Sequence, residues 1–223
     1  AIIDAEKCLS TTRDDMMCWA ATTANMLYYT GWDLLDTSNE DSLFSIFIEN
    51  FRYGDLYGGN TYFGVSWFLT GSWISAGQDD WDYPLEDTGN YYSKTFEDTP
   101  LNNYLSSVSF TVNGLAEVQE KLEDGYGVGI SFGYYNEAGE RTGGHAITLW
   151  GLICDTSFSV TDPNYYTGII ITDSDDDKNS YSDPLVAPDV LKVLTITYDS
   201  AEGKYILDPE YVGTEKGILE QLT

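Results

Sequence analysis

Cys18, His145 and Asp173 are the residues of this 223-residue chain whose types and order could carry out covalent chemistry. A thiol attacks only as the thiolate, so it needs a base or a cation beside it. An imidazole within hydrogen-bond reach takes the thiol proton, and a carboxylate on the other ring nitrogen fixes the tautomer and the orientation. The three together are the parts for acyl transfer through a thioester. His145 is the only histidine in the chain, so an imidazole-assisted step has no other residue to use. A histidine taken alone is by default structural, and the surrounding elements have to argue otherwise.

Those elements are readable. Asp14 and Asp15 precede the run Met16 to Leu27 and are expected to cap a helix there. Cys18 then falls in the first turn, where unpaired amides and the positive end of the dipole favour a thiolate. The two aspartates oppose that effect if they lie near the sulfur, so a base is still required. Gly31 ends the helix, and the small residues from Ala20 to Ala24 let other backbone approach. His145 follows Gly143 and Gly144 at the expected start of an apolar strand, Ala146 to Leu152. The next strand, Gly168 to Thr172, runs into Asp173. Antiparallel pairing of these two strands would make His145 and Asp173 neighbours.

The remaining pattern adds helices at Glu40 to Phe51, after Gly64 and at Leu115 to Leu122, with a surface loop from Gly77 to Leu101. Further strands are expected at Gly127 to Phe132, at Val190 to Tyr198 and near Tyr205. A helical first half and a strand-rich second half imply an α+β fold in one domain, with a helical lobe over roughly 1–110 and an antiparallel sheet lobe over roughly 111–223.

Composition narrows the function classes. With 37 acidic against 10 basic residues the net charge is −27, which argues against nucleic acid and against anionic membrane surfaces as partners. No apolar run approaches the ~20 residues of a membrane span. An apolar share of 42% with 15% aromatic residues supports a packed core. A first residue of Ala1 fits a chain whose leader has been removed. Three cysteines are an odd number; if Cys18 is reactive, Cys8 and Cys154 either form a bridge or remain two buried thiols.

The acidic run Asp173 to Asp177 does not make a calcium loop of the EF-hand type, because its sixth and twelfth positions are Lys178 and Pro184. The cysteines lack the short paired spacing of zinc sites. No metal and no organic cofactor is implied. The 18 tyrosines and six tryptophans leave a sugar-binding, non-catalytic module as the competing class.

A helix-borne cysteine near the N-terminus with a histidine ~130 residues downstream is the papain-like order; here the separation is 127 positions. Transglutaminases, arylamine acetyltransferases and several amidases share that order. The segments Asp14 to Leu27, Gly144 to Gly151 and Ile171 to Asp175 resemble, in sequence and order, the streptococcal immunoglobulin-degrading cysteine peptidases of the Mac/IdeS type. The resemblance implies a papain-like fold, an extracellular bacterial setting and endopeptidase activity. It implies Cys18 as nucleophile, His145 as base, Asp173 as orienting acid and Asp175 as a supporting acid. The family's oxyanion lysine falls, counted without gaps, on Cys8, with Lys7 one residue further upstream. Lys7 is therefore the candidate oxyanion residue, and a solvated lysine in an N-terminal arm is its alternative. A protein or peptide substrate is expected, with immunoglobulin one candidate.

Overall fold

The computed structural model describes residues 2–8, 11–34, 37–73, 82–175, 189–213 and 215–223. The expected loop over 77–101 and the acidic run therefore lie in part outside the described residues, the latter beyond Asp175. The chain divides into two compact units: Ala1–Ser106 with Asp173–Val190 and Thr223, and Ser107–Thr172 with Leu191–Leu222. The content is α+β.

The first unit is helical, with α1 (Cys18–Tyr29), α2 (Glu40–Asn50), α3 (Thr61–Thr70) and a short α4 (Ser93–Phe96). Residues 19–27 of α1 are all buried, so the run of small side chains serves close packing on several sides. Asn39 caps α2, its side chain accepting from the Ser42 amide at 3.0 Å, and Glu40 and Asp41 sit at the positive end of the dipole. Asn60 caps α3 by accepting from the Tyr62 amide at 2.9 Å, and Gly71 ends it in the left-handed conformation. Gly64 thus lies inside α3 and does not precede it, contrary to the expectation. Its role is contact: a Cβ there would stand 2.7 Å from Thr23 Oγ1 and 2.9 Å from Trp19 Cζ3. Trp19, Phe47, Phe51, Trp67 and Phe68 are buried between the helices and form the centre of this core.

The second unit contains β1 (Val108–Ser109), α5 (Val112–Glu123), β2 (Val128–Tyr135), β3 (Arg141–Cys154), β4 (Tyr166–Thr172), β5 (Lys192–Asp199), β6 (Lys204–Leu207), α6 (Pro209–Val212) and β7 (Lys216–Leu222). All strand pairs are antiparallel, in the order β1-β7-β2-β3-β4-β5-β6. The antiparallel sheet expected from sequence is more specifically a barrel, because β6 pairs back onto β7 through Ile206 and Ile218. Closure leaves no long edge to protect. Ile130, Phe132, Ile147, Leu149, Ile169, Ile171, Ile196 and Leu219 alternate inward and are almost fully buried. Leu115 and Val118 of α5 join the same core, and Thr111 caps that helix by accepting from the Gly114 amide at 3.0 Å.

Candidate active site

Cys18 is the first residue of α1, and its side chain is half-buried. Its amide is one of the four that a helix cannot satisfy internally, which is the feature that makes a helix start attractive to a negative atom. The expected cap is absent. Met17 holds the N-cap position without a side-chain hydrogen bond. Asp14, fully buried, turns the other way and accepts from the Cys8 amide at 2.7 Å, while its carbonyl accepts from the Met17 amide at 3.0 Å. The aspartate spent on the loop before the helix is therefore not spent on the helix end.

Lys7 is 4% exposed, which rules out a solvated arm. Its backbone amide donates to the Ser174 carbonyl at 3.0 Å, and its Nζ donates to the Asp15 carbonyl at 2.9 Å and pairs with Asp175. Burial by itself would push the ammonium towards neutrality, but the charges of Cys18, Asp175 and Asp173 outweigh it and hold Lys7 above the ordinary lysine range. The same reciprocity makes Lys7 a cation that favours a thiolate at Cys18. Asp173 is buried, and its Oδ1 accepts from the Asp175 amide at 3.1 Å, so residues 173–175 form a tight turn stitched to the N-terminal segment by Lys7. Asp15 and Ser174 meet Lys7 through their carbonyls, a group that every residue carries, so the sequence could not mark them.

In the barrel, His145 is the fifth residue of β3, whereas the sequence pattern puts it at the start of the strand. Arg141 to Gly144 extend β3 upstream because they find partners in Gly133 to Tyr135 of β2. The imidazole is buried and lies edge-on to Phe132, its register partner, with ring centroids 5.6 Å apart. β3 and β4 pair antiparallel, with Thr148 opposite Thr172. Asp173 follows Thr172 directly in the chain. Cys154 lies at the far end of β3, opposite Tyr166. No disulfide joins any of the three cysteines in this structure.

A family model described as the Peptidase_C39 like family matches residues 7–183. Comparison with curated proteins finds no match. The matched span takes in Lys7, Cys18, His145, Asp173 and Asp175.

Proposed function

Since the chain belongs to the Peptidase_C39 like family, we propose that it is a cysteine endopeptidase in which Cys18 is the nucleophile, His145 the general base and Asp173 the acid that orients the imidazole. The observation that carries this reading is the setting of Cys18: it starts a buried helix, and a buried, protonated Lys7 lies close enough for their charges to interact. A papain-like arrangement of the helix and the histidine strand is part of the same proposal.

The thiolate attacks the carbonyl carbon of the scissile bond, and the imidazolium gives its proton to the departing amine. A water molecule, deprotonated by the imidazole, then cleaves the thioester to release the acid and restore the thiol. The Cys18 amide and Lys7 supply donors to the oxyanion. An ammonium has three protons to donate, and Lys7 directs two of them to the Asp15 carbonyl and to Asp175. The third serves the oxyanion. Asp175 keeps Lys7 charged and in place.

The likeness of the Cys18, His145 and Asp173 segments to the Mac/IdeS type supports an extracellular bacterial peptidase acting on a protein substrate. The net charge of −27 favours a neutral or basic region of that substrate. The deciding experiment pairs Cys18→Ala with an unbiased digest of extracellular proteins and a thiol-directed active-site probe. The variant is expected to lose both cleavage and labelling. Unchanged cleavage would sink the reading, and amine incorporation without hydrolysis would replace it with a transglutaminase.

A further inference from the structure

Arg141 opens β3 and Glu220 lies in β7, 79 positions apart. The guanidinium donates from Nε to Oε1 and from Nη2 to Oε2, both at 3.1 Å, and the Tyr135 hydroxyl donates to Oε1 at 2.8 Å. One carboxylate thus ties together three strands that adjoin one another. A two-pronged fork of this kind fixes direction as well as distance.

The floor beneath it is made of glycine. Gly133 and Gly144 are register partners across β2 and β3. A Cβ on Gly144 would stand 2.5 Å from Arg141 Nη2 and 3.1 Å from the Phe132 carbonyl oxygen. A Cβ on Gly133 would collide with Glu220 Oε1 and stand 2.9 Å from Arg141 Nε. Only a floor without side chains lets the ion pair lie flat across the sheet. His145 follows Gly144 and Phe132 precedes Gly133, so their rings meet on the other face of the same two strands.

The ladder is irregular at this place. β2 shifts register against β3 between Tyr134 and Tyr135, and against β7 between Ser131 and Phe132. Bulges interrupt the backbone pairing that normally sets register, and a slip of one residue would turn a side chain to the opposite face. Something else has to hold the strand beneath His145.

We propose that the Arg141–Glu220–Tyr135 network is a positioning device for the His145 imidazole, acting through the β3 backbone and touching no reacting atom. Its catalytic consequence rests on His145 being the general base; the positioning itself does not. Because the chain has a single histidine, one imidazole resonance in a proton NMR titration reports the ring directly, without any assay of activity.

Three variants of the full chain test this. Glu220→Gln removes the charge at constant shape, Gly144→Ala dislodges the fork while leaving both charges, and Arg141→Lys keeps the charge but loses the fork. The first two are expected to move the imidazole resonance and its titration midpoint, and to lower kcat about ten- to a hundredfold with KM changed less than about twofold. Arg141→Lys is expected to fall between them and the parent chain. Lys216→Gln, which breaks the two ion pairs from β7 to Asp199 and Glu202, is the control for stability alone and is expected to leave the imidazole unmoved. A resonance and midpoint unchanged in both Glu220→Gln and Gly144→Ala, or moved equally by Lys216→Gln, overturns the proposal. If Cys18→Ala shows that the chain does not cleave peptides, the imidazole titration still decides it.

Discussion

Around Phe51 in the helical unit, the rings of Trp19, Trp67 and Trp73 each stand 4.9 Å away. The inward positions of the barrel are filled mainly by isoleucine and leucine. The two cores also treat polar atoms differently. In the helical unit the indole nitrogens of Trp19, Trp67 and Trp73 and one carboxylate oxygen of Asp82 are buried without a hydrogen bond. In the barrel the polar tips are satisfied: Trp150 donates to Thr172 Oγ1 at 3.0 Å, Tyr205 to the Pro163 carbonyl at 3.0 Å and Tyr166 to Gln119 at 3.2 Å. Each orphaned donor or acceptor costs about 1–3 kcal/mol. The barrel has a closed ladder and satisfied tips, while the helical unit relies on large rings whose burial offsets those costs.

The sharpest test of that contrast removes one ring. Phe47→Ala should cost about 3–5 kcal/mol in urea unfolding, against about 1 kcal/mol for Ile171→Val in the barrel, because a ring leaves a cavity that neighbouring rings cannot fill by small rotamer changes. Equal losses would mean that the cores differ in composition only.

Asp82 gives the next effect, and its sign is diagnostic. Burial pushes its carboxyl up to about 6, although the amides of Tyr53 and Tyr83 donate to Oδ1 at 2.9 and 2.8 Å and pull it down. A carboxyl raised on folding favours the protonated native state. Its contribution to stability is therefore fully present below the ordinary value of 3.8, and is lost as pH rises from there through about 6. Asp82→Asn should stabilise the protein by about 2 kcal/mol at pH 7 and by little at pH 4, read from unfolding midpoints across that range. Unchanged stability at pH 7 would show that the carboxylate is paired after all.

Gly64→Ala should destabilise by about 1–2 kcal/mol despite the better helix propensity of alanine, since the new methyl meets Thr23 and Trp19. Stabilisation in a thermal melt would show that α1 and α3 can separate freely.

The smallest effect comes from Glu220. Burial pushes its carboxyl up, but the hydrogen bonds from Arg141 and Tyr135 more than offset this and hold it below the usual range. Its contribution is present above the ordinary value of 4.5 and is lost as pH falls through the lower native value. Glu220→Gln should cost about 1 kcal/mol at pH 7 and less at pH 3, the opposite trend to Asp82. Two acids of opposite sign would then mark the two units in one pH series.

Residue type and short-range pattern carried much of this protein. The order of a cysteine, a single histidine and an acid, a helix carrying Cys18 in its first turn, the antiparallel partnership of β3 with β4 and the α+β class all follow from signals within one element or between consecutive ones. The cap was misread because Asp14 looks the same whether it bonds forward to the helix or back to Cys8. Gly143 and Gly144 were legible as a place of close approach, but not what approaches. Closure of the barrel, the burial of Lys7 against Asp15, Ser174 and Asp175, the orphaned oxygen of Asp82 and the fork from Arg141 to Glu220 were decided by tertiary structure alone. Each depends on groups far apart in the chain, and the desolvation that gives such contacts their strength exists only once the chain has folded around them.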